Sequence, residues 1–356
     1  MTYKLEIELS TQKKQKPAAD KLGFGKYYTD HMFIMDYHAG EGWVNPRIIP
    51  YQPLTLDPAA KVLHYGQTVF EGLKAYRTPD GQLQLFRPQK NFQRLNKSND
   101  RLSIPAIDEE FALHALQQLV LADQDWVPEE QGTSLYIRPF IIATESSLGA
   151  TSSTDYQFII IMSPVGSYYA EGIHPVKIYV EPDYIRAVKG GVGFAKTAGN
   201  YAASLKAQDD AAAKGFAQVL WLDGVHRKYI EEVGSMNVFF KIAGKVITPA
   251  LNGSILDGVV RNSIIQLLKH WNVPVEERAL SIDEVYEAHK SGTLEEAFGT
   301  GTAAVISPIG ELNWDGNQMI INDGMTGELS GKLYSTLTGV QNGTVEDELG
   351  WMVKLG

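Results

Sequence analysis

A lysine set among glycine and alanine is the residue of this chain with the most obvious chemical use. Residues 189–201 read KGGVGFAKTAGNY, which places Lys196 in a segment of small residues. Such a lysine can hold a nucleotide phosphate, carry a covalent cofactor, or remain solvated. Gly190 to Thr197 match the phosphate-binding pattern GxxxxGK(S/T) except at Ala195, where the pattern requires glycine. The segment alone leaves all three interpretations open.

The surroundings of this segment argue against phosphate binding by the lysine. A phosphate-binding loop of this type follows an apolar strand directly, but the polar run EPDYIRAVK separates these glycines from the preceding strand. The apolar run QVLWLD ends in Asp223, as a magnesium-binding strand does, yet Gly224 makes this pair equally typical of a tight turn. A P-loop nucleotide hydrolase therefore stays as a remote alternative.

Two adjacent acids, Glu231 and Glu232, lie between apolar residues in YIEEVGSMNVFF. The alternation of side chains along a strand predicts that one acid is solvated and the other turns inward. An inward carboxylate would be available for chemistry, whereas two ordinary surface acids are the simpler alternative.

Two further stretches have the composition of anion sites. Asp257 and Gly258 precede an amphipathic helix whose first amides belong to Val259 and Val260, and a helix start suits a phosphate. A plain capped helix is the alternative there. The Gly-Thr-Gly-Thr turn in EEAFGTGTAAVISP offers amides and hydroxyls, although glycine turns before strands are frequent.

These residues need elements to position them, and the sequence predicts strands and helices in both halves of the chain. Apolar runs and alternation predict strands at 31–37, 73–77, 83–86, 134–143, 156–162, 176–180, 218–222 and 238–242. Helical spacing predicts helices at 90–102, 108–121, 200–214, 258–270 and 281–289. Asp108 and the pair Ser281 and Glu284 stand at capping positions.

The length of 356 residues favours two domains. SPVGSYYAEGIHP has the glycine, proline and polar content of a connection between domains. We therefore predict an N-terminal domain at 1–163, a linker at 164–175 and a C-terminal domain at 176–356. Strands and helices alternate without a strict βαβ rhythm, so the expected fold class is α/β in the wider α+β sense, with mixed sheets.

The composition excludes several classes of function. A formal charge of −10 argues against a nucleic-acid partner, and the absence of cysteine removes thiolate metal sites, disulfides and cysteine nucleophiles. The eight histidines lack the spacing of a metal site. No apolar run is long enough to span a membrane, so we expect a soluble, cytoplasmic protein that contacts neither membrane nor metal.

Six stretches, FEGLKAY, GFAKTAGNY, QVLWLDG, YIEEVGSMN, GSILDGVVRNS and EEAFGTGTAA, occur in an order and spacing that resemble the fold type IV pyridoxal phosphate enzymes. The chain is most similar to the branched-chain amino acid aminotransferases, from about Phe24 to Gly339. The resemblance implies a homodimer of subunits with a smaller N-terminal and a larger C-terminal domain and pyridoxal 5'-phosphate between them. The implied reaction transfers amino groups between leucine, isoleucine or valine and 2-oxoglutarate, giving glutamate.

The resemblance also assigns roles to particular residues. Lys196 would form the Schiff base and shuttle the proton, and Glu232 would meet the pyridine nitrogen. The other cofactor positions would be Arg94, Tyr201, Ser235, Val259, Val260 and Thr302. The substrate positions would be Phe24, Tyr65, Phe70, Tyr136, Arg138 and Ala303.

The chemistry of amino-group transfer requires the same residue types. A nucleophilic lysine must be neutral, so its pKa must fall by about 3 units, or ~4 kcal/mol, from its ordinary value near 10.4. A carboxylate such as Glu232 keeps a pyridine nitrogen protonated. An apolar wall of Phe24, Phe70 and Tyr65 suits a branched side chain, and Arg138 suits the second carboxylate of 2-oxoglutarate.

One departure from the family concerns redox control, and other enzymes of the same fold remain as alternatives. Mammalian members carry a Cys-x-x-Cys pair at the positions of Ala304 and Ser307, so thiol control is excluded for this chain. The alternatives are a D-amino acid aminotransferase and an aminodeoxychorismate lyase; a non-catalytic binding protein is a more distant one.

Overall fold

The structure, a computed structural model, describes residues 3–166 and 173–356. The strands are β1 (Glu6–Ile7), β2 (His31–His38), β3 (Gly42–Pro50), β4 (Thr68–Phe70), β5 (Leu73–Arg77), β6 (Leu83–Phe86), β7 (Ser134–Ala143), β8 (Asp155–Val165), β9 (Val176–Val180), β10 (Gln218–Leu222), β11 (Ile230–Val233), β12 (Asn237–Ile242), β13 (Lys245–Thr248), β14 (Val275–Glu277), β15 (Leu294–Gly301), β16 (Val305–Trp314), β17 (Asn317–Ile320) and β18 (Met352–Leu355). The helices are α1 (Lys61–Tyr65), α2 (Pro88–Arg101), α3 (Glu109–Ala122), α4 (Ala198–Ala213), α5 (Val259–His270), α6 (Ile282–Lys290) and α7 (Glu328–Asn342).

The predicted elements are confirmed, with ends that move by at most three residues. Two helix starts form as the sequence predicts. Asp108 accepts the Phe111 N–H at 3.0 Å at the start of α3, and Ser281 accepts the Glu284 N–H at 3.1 Å at the start of α6. Several elements were not predicted, among them β3, β13, β17 and α7.

Contacts divide the chain into two compact units. The first comprises the described residues of Met1–Tyr168, Ala195–Ala198 and Gly339–Gly356. Its nine-stranded sheet has the order β1-β3-β2-β8-β7-β5-β6-β18, and β4 also pairs with β7. All of its strand pairs are antiparallel except β1 with β3. Apolar residues of α2 and α3, such as Phe92, Leu116 and Leu119, are buried in one core with residues of the sheet.

The second unit comprises the described residues of Tyr169–Phe194 and Gly199–Thr338. Its sheet also has nine strands, in the order β11-β10-β9-β16-β15-β12-β13-β14, with β17 on β16. Parallel pairs (β9 with β10, β9 with β16, β13 with β14) stand beside antiparallel ones, so this sheet is mixed as expected. β11 is an edge strand of this sheet.

The units differ in composition from the predicted domains. The lysine segment 195–198, expected in the C-terminal domain, belongs to the first unit because Thr197 pairs with Val69 of β4. The end of the chain returns to the first unit because β18 pairs with β6. β8 continues to Val165, two residues into the predicted linker, and residues 167–172 of that linker lie outside the described residues.

In the described part of the chain, no helix is long and apolar enough to cross a membrane.

Candidate active site

The backbone around Lys196 is held by three hydrogen bonds within the first unit. The Lys196 N–H donates to Ser98 Oγ at 2.9 Å, and the Lys196 carbonyl accepts the Phe70 N–H at 2.9 Å. The Thr197 hydroxyl donates to the Thr68 carbonyl at 2.7 Å. A phosphate-binding loop would offer this hydroxyl to magnesium, whereas here it fastens the segment to β4. The lysine segment is therefore hydrogen-bonded to β4 and to α2.

The environment of the Lys196 side chain favours the neutral amine. Its Nζ lies 4.6 Å from the centroid of the Phe70 ring. Burial, and then the positive charge of Arg94, lower the pKa of Lys196 to about 8, although Glu71 acts in the opposite direction. This is most of the decrease that the chemistry requires. Near neutral pH, a useful fraction of the amine can act as a nucleophile.

Arg94 is held by a buried carboxylate that the sequence analysis did not select. Its Nε and Nη2 donate to the two oxygens of Glu71 at 2.7 and 2.8 Å. Asn91 Nδ2 also donates to Glu71, at 2.8 Å, and Glu71 is completely buried. A bidentate pair of this kind fixes the plane of the guanidinium group. Because the contacts with Glu71 use Nε and Nη2, they direct Nη1 away from Glu71.

Three predicted substrate residues lie together on the first sheet. Tyr136 and Arg138 point to the same face of β7, where Arg138 Nη2 donates to Tyr136 Oη at 3.0 Å. The Arg138 Cζ atom lies 4.7 Å from the centroid of the Phe70 ring. Gly72 makes room for this arrangement, since a Cβ at that position would come within 2.2 Å of Tyr136 Oη. Among the described residues, no hydrogen-bond partner is found for the buried Nε of Arg138.

The other two aromatic residues predicted for the substrate pocket are half exposed. The Phe24 ring meets Tyr136 edge to face, with 4.9 Å between the centroids. Tyr65 ends α1 and donates its hydroxyl to the Leu148 carbonyl. The structure thus brings Phe24 to the Tyr136 group, and it connects Tyr65 to the Leu148 loop.

In the second unit, Glu232 is buried and held at both carboxylate oxygens. Oε1 accepts the Leu256 N–H at 2.8 Å, and Oε2 lies 3.3 Å from Arg186 Nε. Arg186 also donates through Nη2 to the Ser254 carbonyl. Arg186 provides a counter-charge for this carboxylate, and a protonated ring nitrogen requires a negative group beside it.

The prediction that one of the two acids is solvated was wrong. Glu231 and Glu232 are both only 3% exposed. Trp221 of β10 pairs with Glu232 and Leu222 pairs with Ile230, so Glu231 is the extra residue of a β-bulge. A bulge interrupts the alternation of side chains from which the prediction was made. Loop 252–256 lies against this edge strand and hydrogen-bonds with both acids.

The start of α5 is positioned by the loop that precedes it. Asn237 Nδ2 donates to the Leu256 carbonyl at 2.8 Å. A Cβ on Gly258 would lie 2.0 Å from Asn237 Oδ1, so only glycine fits at this position. Val259 and Val260 form the first turn of the twelve-residue helix, with their amides at its positive end. Backbone amides at a helix start of this kind can bind an anion.

The turn between β15 and β16 carries Thr302 and Ala303. Val305 closes this turn with φ of 62°, in a left-handed conformation that β-branched residues seldom adopt. The Thr300 hydroxyl donates to the Val305 carbonyl at 2.7 Å and holds the turn in place. Strained backbone of this kind persists only where packing enforces it.

The last two predicted cofactor residues lie on other elements of the second unit. Ser235 is exposed in the turn between β11 and β12, where Val233 pairs with Met236. Tyr201 is half-buried in the first turns of α4, and its carbonyl accepts the Ser204 hydroxyl at 2.8 Å.

Three residues that support the site were not predicted from the sequence: Glu71, Ser98 and Arg186. Glu71 lies within the quoted stretch FEGLKAY, so its motif contained the signal. Ser98 and Arg186 act through the backbone of Lys196 and through Glu232, and no local pattern reveals such contacts.

Comparison with known proteins shows the family of the chain. The family model "Amino-transferase class IV" matches residues 68–312. The chain belongs to the class IV aminotransferases. It is therefore an enzyme that transfers amino groups, and Lys196, Arg94 and Glu232 have the residue types that such a reaction requires.

Individual relatives cover nearly the whole chain. "Branched-chain-amino-acid aminotransferase 2" of Bacillus subtilis is 64% identical over 99% of this chain and 97% of its own length. The Escherichia coli branched-chain amino acid aminotransferase has a TM-score of 0.76 at 26% identity, covering 92% of this chain and 99% of that one. The enzyme of the same name from Thermobaculum terrenum, in its PLP-containing holo-form, has a TM-score of 0.75 at 24% identity, covering 91% and 98%.

Proposed function

We propose that this aminotransferase moves the amino group of L-leucine, L-isoleucine or L-valine to 2-oxoglutarate, giving the branched-chain 2-oxo acids and L-glutamate. The observation that carries the proposal is the position of Lys196, whose amine lies against Phe70 with its pKa lowered to about 8. The 64% identical relative is named for branched-chain amino acids, which supports the choice of substrate.

The residues fit pyridoxal 5'-phosphate as the cofactor. When bound, this group supplies an aldehyde that takes up the amine and a ring that withdraws electrons from the substrate α-carbon. Lys196 Nζ would bond covalently to the cofactor and afterwards carry the proton of the α-carbon. The lowered pKa of Lys196 lets one atom serve as nucleophile and as base.

Glu232 would hold the proton of the ring nitrogen. Its Oε1 is hydrogen-bonded to Leu256 and its Oε2 is paired with Arg186, so these contacts fix the direction of the carboxylate. Tyr201 would contact the phenolic oxygen, as the family resemblance implies. A neutral residue in place of Glu232 would let that ring proton leave, and the electron-withdrawing power of the ring would fall.

The phosphate would be bound by a cation together with amides and hydroxyls. Arg94 is oriented for this by Glu71, with Nη1 directed away from the carboxylate. The amides of Val259 and Val260 supply the positive end of α5. Thr302 and Ser235 would supply hydroxyl groups.

Substrate selection would depend on the face of the first sheet that carries Arg138. Phe70, Phe24 and Tyr65 offer apolar surface for a branched side chain. Arg138, with an unpaired Nε and no carboxylate partner among the described residues, and the Tyr136 hydroxyl would bind the second carboxylate of 2-oxoglutarate or glutamate. The Ala303 amide would approach the α-carboxylate. Alternating use of one site by two substrates gives ping-pong kinetics.

The assembly and location follow from the family resemblance and the composition. We propose a homodimer in the cytoplasm, in which Tyr65 contributes to the partner's site.

Amino-group transfer to 2-oxoglutarate from L-leucine and from D-alanine tests the substrate class. We expect glutamate from L-leucine, and no transfer from either amino acid in a Lys196→Met control. Faster transfer from D-alanine would indicate a D-amino acid aminotransferase instead, and release of pyruvate from aminodeoxychorismate would indicate the lyase.

A further inference from the structure

Glu231 is a buried acid with no part in the proposed mechanism. It is 3% exposed, and Oε2 has no hydrogen-bond donor among the described residues. Its other oxygen, Oε1, meets Ser254 Oγ closely and Asn252 Nδ2 at 3.5 Å. A buried carboxylate with one oxygen left without a donor is expensive, whereas a neutral carboxylic acid in that place costs far less.

The hydrogen-bond donors of loop 252–256 favour the neutral form of the Glu231 side chain. Ser254 Oγ lies close to Glu231 Oε1 and also 2.7 Å from Asn252 Oδ1, and both are acceptors if Glu231 is ionised. A hydroxyl has a single hydrogen and cannot donate to both. If Glu231 is protonated, its O–H donates to Ser254 Oγ and the Ser254 hydroxyl donates to Asn252. Ser254 and Asn252 then both have partners in one chain of hydrogen bonds, and the Glu231 Oε2 atom that lacks a donor no longer belongs to a charged group.

The charged groups near Glu231 have opposing effects. Burial has the largest effect and raises the pKa of Glu231, and Asp223 acts in the same direction. The hydrogen bonds with Ser254 and Asn252, and the charge of Arg186, act against them. Glu232 is the next residue in the chain and is the acid that pairs with Arg186. Two ionised acids would share one arginine, so a neutral Glu231 leaves the charge of Arg186 to Glu232.

We propose that Glu231 is a positioning residue that stays a neutral acid and fastens loop 252–256, so that Arg186 and the Leu256 amide hold Glu232. Ser254 connects the two acids, since its hydroxyl meets Glu231 and its carbonyl accepts from Arg186. Leu256, two residues later, donates to Glu232. The inference rests on the proposed function only in the role given to Glu232.

The protonation state is tested by the pH dependence of unfolding of the holoenzyme and of Glu231→Gln. A carboxyl whose folded pKa is raised stabilises the fold below its unfolded pKa, and this contribution is lost as the pH rises to the folded pKa. We therefore expect the unfolding constant of the wild type to rise about tenfold per pH unit relative to Glu231→Gln, as the pH rises from ~4.3, the ordinary pKa of a glutamic acid, to the folded pKa. A ratio that does not change across this range would overturn the proposal.

The positioning role is tested by the dissociation constant of pyridoxal phosphate and by its absorbance when bound. Glu231→Gln keeps the size and a donor, so both readouts should stay within about twofold of the wild type. Glu231→Ala and Ser254→Ala should each weaken binding about tenfold, and the double variant should be no weaker than either one. Additive losses, or Glu231→Gln as weak as Glu231→Ala, would contradict the role. If Glu231→Ala does not fold, Ser254→Ala and Glu231→Gln still decide.

The two proposals can fail independently. If the protein does not bind pyridoxal phosphate, the proposed function fails, whereas the pH dependence of unfolding still reports the state of Glu231.

Discussion

At the scale of single residues, the site depends on charges that are held in pairs. Arg94 is fixed by Glu71, and Glu232 is fixed by Arg186. In the proposed function, each pair would leave one member for the cofactor: a cation for the phosphate and an anion for the ring nitrogen. Buried pairs add little net stability, but removal of one partner leaves a buried charge uncompensated.

Replacement of Glu71 by Gln should show the cost of leaving Arg94 without its buried partner. Arg94 would lose its ionic partner in a buried place, so we expect the cofactor-free protein to lose about 3 kcal/mol in its free energy of unfolding. Glu71 also raises the pKa of Lys196, so that pKa should fall further. Denaturant unfolding measures the first effect. Lys206→Gln, which breaks the exposed pair with Asp210, serves as control and should leave stability almost unchanged. If both variants lost the same free energy of unfolding, the ion pair of Glu71 with Arg94 would contribute no more to stability than an exposed ion pair.

Arg138→Met should separate the two half-reactions. We expect the reaction with 2-oxoglutarate or glutamate to slow by about a hundredfold, because a carboxylate loses its charged partner at a cost of about 3 kcal/mol. The half-reaction with leucine should change little. Tyr136→Phe removes only the hydroxyl and should give a smaller effect in the same direction. Single-turnover rates for each substrate provide the measurement, and an equal decrease for leucine would refute the role of Arg138.

At the scale of elements, close approach of backbone segments positions the site. The segment GGVGFAKTAGNY contains glycines with opposite surroundings. A Cβ on Gly193 would lie 2.2 Å from the Ser254 carbonyl, whereas a Cβ on Gly199 meets nothing within 4 Å. Gly193 thus allows the segment to lie against the loop that holds Glu232.

Substitution of these two glycines by alanine should give opposite results. Gly193→Ala should push the Ser254 loop away, destabilise the protein by about 2 kcal/mol and weaken cofactor binding. Gly199→Ala, in the first turn of α4, should stabilise by about 0.5 kcal/mol. Thermal unfolding with and without pyridoxal phosphate compares them. If both variants resembled the wild type, Gly193 would not have the spacing role given to it.

Local signals made some elements predictable and left others hidden. The capped starts of α3 and α6 are read from residues a few positions apart, so Asp108 and Ser281 were correctly placed. The burial of both Glu231 and Glu232 was not predictable, because it depends on a bulge in β11 and on a loop twenty residues away in sequence. The addition of Lys196 to the first unit depends on Val69 and Thr197, which are distant in sequence.

At the scale of the whole molecule, burial of Lys196 lowers the stability of the folded protein. Lys196 has its pKa lowered to about 8, far below the ~10.4 of an unfolded chain. The folded protein therefore resists protonation of this amine. Below pH 8 the amine is charged in both states and the folded state bears the full penalty, which disappears as the pH rises towards ~10.4.

Lys196→Met should remove this penalty from the cofactor-free protein. We expect the variant to be more stable than the wild type by up to about 3 kcal/mol below pH 8, and the difference to shrink as the pH rises to ~10.4. Lys74, whose pKa is also lowered to about 8, is present in both proteins and cancels in the comparison. Unfolding free energies measured across this range give the result. If the difference in unfolding free energy grew as the pH rose, it would contradict a lysine whose pKa is lowered by burial.

Borohydride reduction of the holoenzyme, followed by peptide mass mapping, shows which lysine carries the cofactor. Reduction converts the C=N bond between lysine and cofactor into a stable C–N bond, so the modified lysine carries a pyridoxyl group. We predict this group on Lys196, in the peptide that contains GFAKTAGNY. A pyridoxyl group on Lys189 or Lys206, or none on any lysine, would contradict the role of Lys196.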